Sequence, residues 1–242
     1  MNGALVAFLC SGLAAQESWA PATLPLDAIV QGMQNAQAMM RAQDSYQVIR
    51  EYRLSGATNS KADSEVVAEI NFRPPSYRDY TIQRSSGSSR GPQLVRRILD
   101  HEVEVTSKDK AGSAITTDNY NFTYIGEALL DGRPCYVLGL KPRRVEKDLI
   151  SGQAWVDKHS FLIRQVEGAV EKTPSWWLKT VRVKLVFTDL DGIWVQKSME
   201  AVADVRIVGS HTLSSRILDY RREHVVAATS FSLATPVRRP SR

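Results

Sequence analysis

The sequence of 242 residues holds only two cysteines, Cys10 and Cys135, so a small domain stapled by disulfides is excluded. It has no Walker loop and no G-x-G-x-x-G, the patterns whose glycines bring backbone N–H groups against phosphates. Its four histidines, His101, His159, His211 and His224, are not paired at metal-ligand spacing, so no metal site is expected. One G-x-S-x-G occurs, at Gly87-Ser88-Ser89-Arg90-Gly91. That chemistry needs the serine on a strained turn of an α/β sheet, whereas here it reads as chance within a Ser/Gly loop. No catalytic residue and no cofactor is expected. Charge of one sign is also scarce. The net charge is +5, and the last eight residues carry three arginines, which leaves +2 for everything else. A nearly neutral domain is a poor nucleic-acid surface.

What the sequence does have is an ordinary globular composition, 43% hydrophobic and 24% charged. The first fifteen residues carry no charge, and eleven of them are apolar. The run ends in small residues, Ser11, Gly12, Ala14 and Ala15, before polar Gln16 and Glu17. This predicts a secretory signal over residues 1–15, although no positive charge precedes it. The stretch is short of the roughly 20 apolar residues that span a bilayer. A lipid-anchored Cys10 is rejected, because bulky Leu9 precedes it. Cys135 then stands alone and reads as a small core residue. The expected organisation is a signal (1–15), one domain (16–234) and a solvated basic tail (235–242).

Ile29, Met33, Ala36 and Met40 recur at helical spacing, with Asp27 as a cap or first-turn acid. One amphipathic helix is predicted over about residues 25–43. The period then changes to two. Tyr46, Val48, Arg50, Tyr52 and Leu54 share one face, and Val66, Ala68, Ile70 and Phe72 another. Arg78, Tyr80 and Ile82 continue the pattern. Residues 85–92 read as a loop, 94–106 as a strand with Val103 and Val105 opposite Glu102 and Glu104, and 108–114 as a loop. The second half reads as a meander of strands over residues 119–130, 133–141, 152–156, 161–170, 176–188, 195–207 and 212–220, with a short last one near Phe231 and Leu233. Asp131-Gly132 and Asp191-Gly192 mark tight hairpin turns. The predicted class is mainly β (α+β): a curved antiparallel open half-barrel of about ten strands, with the early amphipathic helix across its opening and no second block of helices. Such a curled sheet encloses an apolar interior. Val181, Val183, Met199 and Val205 are its candidate lining.

Arg50 is a second kind of candidate. It stands on an otherwise apolar strand face, where a charge must be paired or reach solvent. It is either a ligand contact or a side chain snorkelling at the barrel mouth, and the snorkelling reading is the simpler. Trp176-Trp177 reads as an apolar anchor at the rim.

The order of several motifs resembles a known family. These are Phe72-Arg73-Pro74-Pro75-Ser76-Tyr77-Arg78, then Asp131-Gly132-Arg133-Pro134-Cys135-Tyr136-Val137-Leu138-Gly139-Leu140-Lys141-Pro142, then Gly152-Gln153-Ala154-Trp155-Val156-Asp157, then Phe161-Leu162-Ile163-Arg164. Over about residues 26–235 the chain resembles the LolA/LolB superfamily of periplasmic lipoprotein-sorting proteins, which includes the RseB-type sensors. The resemblance implies a periplasmic, soluble carrier of lipoprotein acyl chains or other lipids, built as an open half-barrel with a helical lid. It also implies that Arg73, just before a proline, holds the lid closed; the alternative reading is that Arg73 caps a strand end on the surface. Its five guanidinium donors suit that role. The implied partners are lipid acyl chains or lipoproteins, with an envelope membrane protein as a further one. The protein is expected to be a monomer that binds no nucleic acid. The alternative within the same fold is an envelope sensor or protein-interaction module. Residues 84–114 depart from the carrier's pattern.

Overall fold

Ten strands and two helices form from residues 24–40, 45–56, 63–107, 114–173, 178–206 and 209–223, the residues that the computed structural model describes. The predicted signal, the Trp176-Trp177 pair, the strand expected near Phe231 and the basic tail lie outside them. Helix α1, Leu26–Met39, follows Pro25, whose carbonyl accepts from Ala28 N–H at 3.0 Å. Asp27 lies in its first turn and makes no side-chain cap. Ile29, Val30 and Met33 bury one face.

The strands are β1 (Ser45–Ser55), β2 (Ser64–Arg73), β3 (Tyr77–Gly87), β4 (Tyr120–Leu130), β5 (Arg133–Pro142), β6 (Ile150–Asp157), β7 (Ile163–Val170), β8 (Leu178–Leu190), β9 (Ile193–Val205) and β10 (Gly209–Glu223). They form one antiparallel sheet in the order β3-β2-β1-β10-β9-β8-β7-β6-β5-β4. Its two edges do not meet, so the sheet is an open half-barrel. Asp131 and Gly132 (φ 50° and 75°) and Asp191 and Gly192 (φ 52° and 83°) all take positive φ, as a type I′ hairpin turn requires.

The segment expected as loop and strand is instead a helix, α2, Arg90–Ser107. Its long hydrophobic face explains the difference. Val95 and Leu99 are four residues apart and each 1% exposed, with Leu94 and Ile98 beside them. The alternation at residues 102–105 is local, and helical spacing wins over the longer window. The G-x-S-x-G therefore spans the junction between β3 and α2 rather than a free loop.

Residues paired directly across antiparallel strands share a face. Both helices pack on the same face of the sheet, its inner face. It carries two cores. Around α1 lie Tyr136, Leu138, Leu140, Ala154, Val156, Ile163 and Val166 from β5, β6 and β7. Around α2 lie Val48, Tyr52, Val66, Ala68, Ile70 and Leu213 from β1, β2 and β10. Cys135 is fully buried, as expected of a small core residue, and burial pushes its thiol up.

Candidate functional site on the inner face

Between the two cores the inner face is formed by β8 and β9. The register pairs Val181 with Ala203, Val183 with Ala201, Leu185 with Met199, and Leu178 with Val205. The four candidate lining residues Val181, Val183, Met199 and Val205 therefore share the inner face. All four are half-buried. Met199 and Ala201 pack against the core under α2, and Leu185 and Phe187 against the core under α1. Val181, Val183 and Val205 belong to neither cluster and form an apolar strip joining the two.

Two clefts lie beside the sheet. One, of about 400 Å³, runs between α1 and β4 and is lined by Asp27, Gln31, Gln34, Tyr120, Phe122 and Arg143 among others. The other, of about 360 Å³, touches Val183 and Gly168, but Glu167, Arg182, Lys184 and Glu200 in its wall point to the outer face. Neither is walled by Val181, Met199 or Val205.

Arg50 does not snorkel. It is 6% exposed, and its Nη2 reaches past β10 to donate to the Gln196 carbonyl of β9 at 2.6 Å. The β1 strand places it on the inner face between Val48 and Tyr52, opposite Ala68 on β2 and Ile217 on β10. Register shifts fall at Ile49/Arg50, at Val67/Ala68 and at Val186/Phe187. Bulges of this kind bend a sheet, so Arg50 sits on a line of bending. Arg50 Nε, Tyr52 Oη and Ser215 Oγ are buried with no hydrogen-bond partner among the described residues. Burial pushes the phenols of Tyr46 and Tyr52 above their usual range, so both are neutral hydroxyls.

Arg73 is exposed at the end of β2, and its guanidinium lies over the Tyr77 ring at 5.4 Å. The arginine bonded to α2 is Arg78 of β3, whose Nη2 is 2.6 Å from Glu102 Oε2. Tyr80, two residues on, donates to Asp100 at 2.6 Å. His101 Nε2 lies 3.1 Å from Asp148 Oδ1 in the loop after β5. Arg78 was missed in the sequence, yet its signal matches that of Arg50: a cation alternating with apolar Tyr80 and Ile82. Ser89 of the G-x-S-x-G makes no hydrogen bond to a histidine among the described residues. No group of three or more potential metal ligands occurs among them.

A model of a family of uncharacterised proteins matches residues 103–223, from the second half of α2 to the end of β10. The chain belongs to this family. No curated protein matches it. Solved structures similar to this family member include a DUF1329 family protein from Desulfovibrio piger, 18% identical, covering 85% of this chain and 96% of that one, with a TM-score of 0.44. An outer membrane lipoprotein-sorting protein domain from Vibrio parahaemolyticus is 17% identical, covers 84% and 95%, and has a TM-score of 0.44. A LolA superfamily protein from Nitrosomonas europaea is 13% identical, covers 84% and 96%, and has a TM-score of 0.43. Among the family member's described residues, no helix is long and apolar enough to cross a membrane.

Proposed function

We propose that this protein is a periplasmic binding protein that shields acyl chains, of lipoproteins or other lipids, on its inner face and carries them in outer-membrane lipoprotein sorting. The observation that carries the reading is the half-buried apolar strip of Val181, Val183 and Val205, left between the two helix-covered cores and continued by half-buried Met199 at the edge of the α2 core. The motif order and the helices on one face of an open sheet support it. Burying one CH₂ contributes about 0.8 kcal/mol, so a long acyl chain offers on the order of 10 kcal/mol before the cost of association. In this reading residues 1–15 direct export, residues 16–234 form the binding domain, residues 235–242 are a solvated tail, and the protein acts as a monomer without catalysis.

A protein-interaction role is the second reading. It is favoured by the edge strand β4, which exposes Tyr124, Ile125 and Leu129 along an unpaired sheet edge.

Native mass spectrometry of protein purified from cells, with uptake of a fluorescent fatty acid, tests the first reading. Bound lipid, or uptake that Val183→Asp abolishes, is expected. Protein free of lipid that takes up no probe would overturn it, and partner capture that Leu129→Asp removes would then support the second.

A further inference from the structure

We propose that Arg50, Tyr52 and Ser215 form a buried seat for the carboxylate of a long-chain fatty acid whose tail lies along Met199, Ala201 and Val183. The inference rests on the acyl-chain reading and names its ligand class.

The charge argument comes first. A guanidinium is protonated at any physiological pH, and burying it without a counter-charge is costly. Arg50 is 6% exposed and has one carbonyl partner, Gln196. The nearby carboxylate, Glu102, is held by Arg78 at 2.6 Å. Asp100, the other carboxylate that α2 brings to this face, accepts from Tyr80 at 2.6 Å, so among the described residues no carboxylate pairs with Arg50.

The donors come second. Tyr52 and Ser215 are 2% and 4% exposed and stand directly opposite each other across β1 and β10, with Arg50 two residues along the same face of β1. Each has a polar atom without a partner. Two hydroxyls and a guanidinium N–H suit the two oxygens of one carboxylate, which only accepts hydrogen bonds.

Continuity comes third. The register runs Tyr52–Ser215–Met199–Leu185 in one row and Leu54–Leu213–Ala201–Val183 in the next. A chain leaving the seat along these rows passes directly onto the half-buried strip. A terminal carboxylate fits an end of this kind, whereas a phosphodiester has a second substituent to accommodate. Because α2 covers the seat, entry requires α2 to lift from it.

The test compares cis-parinaric acid with its methyl ester, which has the same chain and no charge, using delipidated full-length protein and its Arg50→Met and Tyr52→Phe variants. The wild type is expected to prefer the acid by about tenfold or more. Arg50→Met is expected to bring acid and ester to equal affinity and to raise the Tm of the lipid-free protein, because an unpaired buried charge is replaced by an apolar chain. Tyr52→Phe is expected to weaken the acid several-fold, leave the ester unchanged and keep the fold. Equal binding of acid and ester by the wild type would overturn the seat and leave the strip standing. Failure of both probes would overturn the acyl-chain reading with it. Displacement of parinarate by sodium acetate would show a free-anion site and also overturn the proposal. An Arg50→Met protein of lower Tm, or one that fails to fold, with Tyr52→Phe unchanged in acid binding, would make Arg50 a structural tie to Gln196 and nothing more.

Discussion

Burial alone would raise the Glu51 carboxyl, but the Arg216 hydrogen bond at 2.7 Å and the Arg53 guanidinium at 3.2 Å outweigh it and hold the group below its usual range. Asp157 behaves alike. Burial opposes its charge, and the Ser160 and His159 N–H groups, with Arg164 at 3.4 Å, lower it overall. A carboxyl lowered in the folded state stabilises the protein fully above its unfolded value, and that stability is lost as pH falls through the folded value. Stability is therefore expected to hold from about pH 7 to 5 and to decline below that, in urea titrations at each pH. Glu51→Gln is expected to cost about 1–2 kcal/mol at neutral pH and to lose less on acidification than the wild type. Arg78 is the other residue with a measurable part. Arg78→Met removes the bond to Glu102, and exchange of the α2 amides with deuterium is expected to quicken while the β5–β7 amides keep their protection. Arg50 and Arg78 were both readable as cations on apolar strand faces. Their opposite situations, one tied to a carboxylate and one without, depend on which helix residue lies overhead, and strand alternation carries no information on that.

At the scale of elements, α2 was the segment that sequence reading lost. Its Val103 and Val105 alternate with Glu102 and Glu104, and a serine-rich stretch precedes it, so a window of a few residues favours a strand. The spacing of Val95 and Leu99 was available and decides the matter over a longer window. The hairpins were legible because their turns are chemical: Asp-Gly supplies two residues that tolerate positive φ. Nothing lies within 4 Å of a Cβ added at Gly132 or Gly192, so substitution there tests backbone conformation alone. Gly192→Ala is expected to cost about 1–2 kcal/mol in chemical denaturation, the price of the left-handed region. Leu99→Ala, which empties a fully packed position under α2, is expected to cost about 2–5 kcal/mol by the same measurement. Its effect should be larger than that of Gly192→Ala, because a cavity adds to the lost transfer energy.

For the whole molecule, the family match begins inside α2 and covers β4 to β10, one uninterrupted meander. The strands β1, β2 and β3 make a second meander, and α2 connects the two. They are joined in the sheet only where β1 pairs with β10, from Ser45 opposite Glu223 to Ser55 opposite Thr212. The sequence predicted the strands but not this pairing, because alternation says which face a residue takes and not which strand lies beside it. Contacts of long sequence separation form late, since the chain must be closed into a large loop before they contribute. Val48 lies in this seam, 3% exposed and opposite Tyr220. Val48→Ala is expected to speed unfolding in stopped-flow experiments while leaving the refolding rate nearly unchanged. The seam has a further consequence for a chain made from its N-terminus. β1 keeps one edge open until residues 209–223 have been synthesised. Ser215 comes from that strand, so the charge on Arg50 waits until residue 215 has been made before the inner face around it exists.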